Sequence, residues 1–127
     1  MKKILIIDDD PQFADMLNFQ LGRLGFEVEI AHTPIQTEEY FDNRNFDLVV
    51  LDVFFPNRND GLDLLRKIKQ NIQTDHIPII LVTSQPSELF MQEPNFDEYL
   101  QMAKEFVSKI DGPKVIAEKV GEILSSK

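Results

Sequence analysis

Apolar and polar positions alternate along this chain in two different rhythms. Ile4-Leu5-Ile6-Ile7 and Leu48-Val49-Val50-Leu51 are unbroken apolar runs, each ending on an acid: Asp8-Asp9-Asp10 after the first, Asp52 after the second. A run without polar alternation predicts a strand covered on both faces, as in a parallel sheet. Lys2–Asp8 and Phe46–Asp52 are therefore read as the first and third strands. Phe26, Val28 and Ile30 alternate with Glu27 and Glu29, so the second strand, Phe26–Ala31, has the one-sided pattern of a sheet edge. Ile77–Val82 reads as a fourth strand, with Pro78 tolerable only near its start, and Glu105–Ser108 as a short fifth.

Helical spacing fills the gaps. Asp10-Pro11 predicts an N-cap followed by proline at the first helical position, leading into a face of Phe13, Leu17, Leu21 and Leu24 that Gly25 ends. Thr33-Pro34-Ile35-Gln36 has the form of a capping box; its helix runs to about Arg44 and is expected to bury Ile35 and part of Tyr40 and Phe41. The turn-forming run Pro56–Gly61 precedes a helix spaced by Leu62, Leu65, Ile68 and Lys69, ending near Gln70 or Asn71. Pro86 and Pro94 interrupt the next crossover, which predicts a helical turn around Ser87–Met91 and a separate helix over Phe96–Ala103. Asp111-Gly112-Pro113 caps a last helix with Ile116, Val120, Ile123 and Leu124 on one side.

Strands alternating with helices predict a doubly wound α/β domain with right-handed crossovers. For five strands the flavodoxin-like order 2-1-3-4-5 fits best. It sets the first and third strands side by side where the winding reverses, and there the ligand crevice opens at the strands' carboxyl ends. Asp8, Asp9, Asp52, Thr83, Ser84 and Lys109 are thereby expected at one cleft.

Composition narrows the classes. With 127 residues, 43% apolar and 28% charged, residues 1–127 read as one globular domain. No apolar run approaches a membrane span of about 20 residues, and the start lacks a signal-peptide pattern, so a cytoplasmic location is expected. The chain has no cysteine, which removes thiolate metal sites and thiol chemistry. A net charge of −9 disfavours direct nucleic-acid contact.

An acid pair after the first strand, an acid after the third, a hydroxyl after the fourth and a lysine after the fifth resemble the response-regulator receiver domain of two-component signal transduction. The resemblance runs from Ile4-Leu5-Ile6-Ile7-Asp8-Asp9-Asp10-Pro11 through Leu51-Asp52 to Phe106-Val107-Ser108-Lys109. It implies that Asp52 accepts a phosphoryl group from a histidine kinase or phosphotransfer protein. It also implies that Asp9, Asp52 and the backbone carbonyl of Phe54 hold Mg²⁺, with Asp8 assisting through a water. Thr83 and Lys109 would then meet phosphoryl oxygens, while Thr83 and Phe106 act as the switch. The resemblance gives the chain no enzymatic activity beyond its own phosphorylation and dephosphorylation, and a downstream protein target as partner. The residue types suit that chemistry. A carboxylate attacks without a general base, and phosphoryl transfer asks mainly for positioning and charge compensation. Three carboxylates near one point repel one another by on the order of 4 kcal/mol per pair at about 4 Å and an effective dielectric near 20, which a divalent cation on hard oxygen ligands relieves.

Each residue also has an ordinary reading. Asp8, Asp9 and Asp10 can be a strand exit with a helix cap, and Asp10 is assigned to capping outright. Thr83 can be a strand end, Lys109 a solvated side chain, Phe106 a core ring; His32 and His76 are read as structural. The convergence of the set favours the site.

Departures from the family pattern carry expectations of their own. Ile110 replaces the usual proline after the lysine, so a trans bond and another backbone path are expected there, which leaves the aim of the amine open. The loop Pro56–Gly61 is one residue longer than the commonest spacing, and the stretch from Thr83 to Lys109 is longer by several. Phe54 sets a bulky ring beside Asp52, which should slow water attack. Since no output domain follows in these residues, the signal is expected to pass through a partner protein, by phosphotransfer or by docking, unless they are a fragment of a longer regulator. The alternative is a pseudo-receiver, a docking module working without phosphate. A phosphatase of the haloacid-dehalogenase type wants an acid where Phe54 stands. Flavodoxin-like cofactor binding wants a Ser/Thr/Gly-rich loop after the first strand.

Overall fold

A computed structural model of the chain describes residues 1–43, 45–54 and 60–125. Five parallel strands form its sheet: β1 (Lys3–Ile7), β2 (Glu27–Ala31), β3 (Leu48–Asp52), β4 (Ile79–Thr83) and β5 (Glu105–Ser108). Their order is β2-β1-β3-β4-β5, as the apolar patterning predicts. Ile7 pairs with Leu51, Asp52 with Val82, and Thr83 with Ser108, so the strands finish at nearly one level. Helices cover both faces: α1 (Pro11–Arg23), α2 (Pro34–Asn43), α3 (Asp60–Gln70), α4 (Ser87–Phe90), α5 (Phe96–Met102) and α6 (Pro113–Ser125).

Strand side chains alternate between two cores. Ile4, Ile6, Leu48, Val50, Ile80, Val82 and Val107 meet Phe13, Leu17 and Leu21 of α1 and Ile116, Val120 and Leu124 of α6. Leu5, Ile7, Val49, Leu51, Ile79 and Leu81 face the other way, onto Leu62, Leu65 and Ile68 of α3 with Phe90 and Tyr99 of α4 and α5. Because β1, β3 and β4 are covered on both sides, their sequences are apolar without alternation. β2 lies at the edge, and its Val28 and Ile30 are only half-buried.

Local chemistry explains most boundaries. Asp10 Oδ1 accepts from the N–H groups of Gln12 and Phe13 ahead of α1. Gly25 takes φ +89° after that helix, a left-handed conformation that glycine adopts without strain. Thr33 Oγ1 accepts from Gln36 N–H, half of the capping box, but Gln36 Oε1 returns to the N–H of His32 rather than Thr33. Strand ladders start later than the sequence suggests at Phe26, Phe46 and Ile77: Pro78 has no N–H to give, so β4 begins at Ile79.

Two expectations of burial fail. Leu24 is 51% exposed because it is the C-cap, one step past the helical rows of α1. Ile35 is 71% exposed: in the first turn of α2 the face toward the sheet belongs to Thr37 and Tyr40. The predicted split of the fourth crossover holds, with α4 and α5 separated around Pro94. The expected end of α2 at Arg44 and most of the long loop Pro56–Gly61 fall outside the described residues. Among the described residues no helix is long and apolar enough to cross a membrane.

Candidate phosphoryl-acceptor and metal site

Three carboxylates gather where β1 and β3 end. Asp8, Asp9 and Asp52 each offer an oxygen, and these atoms lie within 4.8 Å of one another. Asp8 is 2% exposed, Asp9 is open to solvent and Asp52 is half-buried. Their positions follow from the strands: Asp8 and Asp9 come directly after β1, and Asp52 is the last residue of β3. Asp8 Oδ1 accepts from the Asp10 N–H, its backbone N–H donates to the Ala31 carbonyl, and its own carbonyl meets Nδ1 of His32 at 3.1 Å. Asp52 Oδ1 accepts from the Phe54 N–H at 3.1 Å. The donor set is all carboxylate oxygen, which suits a hard cation such as Mg²⁺ and not a thiophilic one.

Lys109 closes the group from β5. Its Nζ stands 2.9 Å from Asp8 Oδ2 and 3.5 Å from Asp52 Oδ2. The ring of Phe13, on α1, lies beneath the same ammonium, 4.6 Å from Nζ to the centroid, a distance at which the ring face attracts a cation. The amine therefore reaches the acids with isoleucine at 110, which answers the question the missing proline left open. Backbone geometry accounts for this: Lys109–Asp111 form a 3₁₀ turn capped by Ser108, and the turn directs the lysine back over the strand ends.

Electrostatics in this pocket are frustrated. Burial, then the Asp8 carboxylate, pushes Asp52 from its ordinary value of 3.8 up to about 6, against the pull of Lys109 and the Phe54 N–H. Burial disfavours the Lys109 ammonium, but its hydrogen bond to Asp8 and the charges of Asp52, Asp8 and Asp10 outweigh it and raise its pKa. One ammonium thus offsets two close carboxylates, and the surplus negative charge invites a further cation.

The remaining predicted residues lie on or just after β3, β4 and β5. Thr83 is buried at the end of β4, its Oγ1 accepting from the Gln85 N–H at 3.1 Å. Ser84 is exposed. Phe54 is half-buried against the core of β1, β3 and β4. Phe106, on β5, is half-buried, its ring 5.2 Å from Phe90 and 5.4 Å from Phe96. Phe90 also meets Tyr99 at 5.3 Å, so four rings join α4, α5 and β5. Arg66 of α3 makes a two-pronged ion pair with Glu98 of α5, at 2.6 and 2.7 Å. Asp10 caps α1, as predicted. Sequence reasoning assigned Phe13 only to the core and passed over Ser108. Phe13 carried no cue beyond its helical spacing, and Ser108 looks like any small strand residue.

The chain has clear relatives. The family model described as the response regulator receiver domain matches residues 4–120. The transcriptional regulatory protein CpxR of Escherichia coli (strain K12) is 39% identical over 89 residues, which cover 70% of this chain and 36% of that protein. The chain thus spans little more than a third of the length of that curated relative. Among solved structures, a CheY-like response regulator receiver domain protein from Methanospirillum hungatei JF-1 is 30% identical with a TM-score of 0.81, over 98% of this chain and 94% of that one. The response regulator protein TrrA of Thermotoga maritima, solved in complex with Mg²⁺–BeF, is 28% identical with a TM-score of 0.77, over 97% and 99% of the two chains. With the sheet order, the acid cluster and the strand-end lysine in place, these matches establish that the chain belongs to the response-regulator receiver-domain family.

Proposed function

We propose that Asp52 accepts a phosphoryl group from a histidine kinase or a phosphotransfer protein in an Mg²⁺-dependent reaction, and that the phosphorylated form signals to a partner protein. The observation that carries this reading is the convergence of Asp8, Asp9 and Asp52 to within 4.8 Å, with the Lys109 ammonium against two of them. The fit to Mg²⁺ rests on that all-oxygen donor set. Asp9, Asp52 and the carbonyl of Phe54 would hold the ion, with Asp8 assisting. Bound there, Mg²⁺ would supply positive charge to the phosphoryl oxygens.

The chain's own residues do the rest. An Asp52 carboxylate oxygen attacks phosphorus, forming an acyl phosphate as the bond to the donor nitrogen breaks. With a pKa of about 6, Asp52 is mostly ionised at pH 7 even without metal. Lys109 turns from Asp8 and Asp52 to a phosphoryl oxygen, and the Thr83 hydroxyl donates to another while still accepting from Gln85 N–H. Movement of Thr83 changes the space beside Phe106, whose ring is packed into the cluster with Phe90 and Phe96. The readout is then a shift in the packing of α4, α5 and β5, as large as the phosphoryl group's preference for one arrangement over the other.

Incubation with acetyl phosphate and Mg²⁺, read by intact mass, tests the assignment. The expected result is one added phosphoryl group on the wild-type chain, and none on Asp52→Ala or in the presence of a chelator. No addition from acetyl phosphate or from any of a panel of kinases would leave the phosphate-independent docking module as the better account.

A further inference from the structure

Lys109 leaves β5 at a point where the sheet stops holding the chain. The last rung of the β4–β5 ladder pairs Thr83 with Ser108, and Lys109 opens the 3₁₀ turn that follows. The first N–H groups of such a turn lack partners within it. Here Ile110 N–H finds one in Ser108 Oγ, at 3.1 Å. That hydroxyl donates in turn to the Gln85 carbonyl, at 2.7 Å. Gln85 N–H is bonded to Thr83 Oγ1, so one buried oxygen ties the turn bearing Lys109 to the end of β4. Ser108 is 2% exposed, and its hydroxyl makes both bonds away from water.

We infer that Ser108 is a positioning residue, whose doubly bonded hydroxyl sets the direction in which Lys109 leaves the sheet and so brings the ammonium onto Asp8 and Asp52. The lysine stem has many rotamers to lose; a fixed base at Ser108 and the Phe13 ring near its tip restrict them from both ends. Ser108 and Ile110 work as a pair. A proline at 110 has no N–H to donate, and it disfavours the helical conformation in the residue before it, which Lys109 adopts in this turn. With isoleucine at 110 the N–H is present, and the Ser108 hydroxyl uses it as an anchor. The inference rests on the proposed part of Lys109 in phosphorylation, but the placement of the amine can be tested without it.

Two measurements are combined. Phosphorylation by acetyl phosphate and Mg²⁺ is timed for Ser108→Ala with Lys109 present and in a Lys109→Ala background. The nuclear Overhauser contact between the Lys109 ε-protons and the Phe13 ring is followed in the unphosphorylated protein. Ser108→Ala is expected to slow phosphorylation about tenfold when Lys109 is present, the rate equivalent of about one hydrogen bond, to have no effect without Lys109, and to abolish the contact. Equal slowing in both backgrounds, or a contact undiminished in Ser108→Ala, overturns the inference. Should wild type take no phosphoryl group, the function proposed above falls and the contact alone decides the role of Ser108. Ser108→Cys, nearly isosteric and a weak hydrogen-bonding partner, serves in the same assays if the alanine variant does not fold.

Discussion

Replacing Asp52 with asparagine should make the metal-free protein more stable at neutral pH. Burial and the Asp8 carboxylate push Asp52 up to about 6 from an ordinary 3.8. That difference amounts to on the order of 3 kcal/mol between its two protonation states. Because the folded-state value lies above the unfolded one, the folded protein keeps a proton that the unfolded chain has already released. The resulting stabilisation is fully present below about pH 4 and is lost as pH rises through about 6. Asparagine is neutral at every pH and can still accept from the Phe54 N–H. It gives up the 3.5 Å ion pair with Lys109, but that amine keeps its shorter contact with Asp8 at 2.9 Å. We expect a net gain of on the order of 2 kcal/mol at pH 8, shrinking to little or nothing at pH 4. Urea unfolding of both proteins across that range, with a chelator present, measures the gap. Added Mg²⁺ should narrow it by stabilising the wild type alone. A variant no more stable than wild type at pH 8, or a gap independent of pH, would refute a site strained by its own charge.

Other expectations follow from single residues. Phe54→Asn should speed loss of the phosphoryl group several-fold, since it exchanges a bulky apolar side chain two residues after Asp52 for a polar one; equal decay of the two acyl phosphates, followed by intact mass, would count against this. Gly61→Ala should destabilise the fold by about 2 kcal/mol or more in urea unfolding, because a methyl group there overlaps the Val53 carbonyl, which is backbone and cannot turn aside. Phe90→Ala should cost about 3–5 kcal/mol by the same measurement, as the ring is fully buried and meets three other aromatic residues.

The fold was legible because its central strands are covered on both faces. Burial of that kind leaves uninterrupted apolar runs at 4–7 and 48–51, and those runs end at the acids that matter. One-sided alternation placed β2 at the edge for the same reason, and prolines marked the break between α4 and α5. The errors fall where helical spacing continues past the element that gives it meaning. Leu24 keeps the rhythm of α1 but sits at its cap, and Ile35 is apolar in a first turn that does not face the sheet. In the site, the residues carrying charge were readable from strand ends, whereas those that aim them were not. Phe13 under the Lys109 ammonium and Ser108 at its base act through distances set by the packing of α1 and by a 3₁₀ turn. Ile110 left the aim of Lys109 open for the same reason: a missing proline shows in sequence, but the bond from Ile110 N–H to the Ser108 hydroxyl shows only in three dimensions.

The central claim is that Asp8, Asp9 and Asp52 form one cation site beside the phosphoryl acceptor. Calorimetric titration with Mg²⁺ tests it most directly, comparing wild type with Asp9→Asn, Asp52→Asn and Asp10→Asn. One ion per chain should bind to wild type and to Asp10→Asn, whose carboxylate caps α1 and is not one of the three clustered acids, while Asp9→Asn and Asp52→Asn should each lose that binding. Binding that survives both of those substitutions, or that disappears with Asp10→Asn alone, would contradict the account.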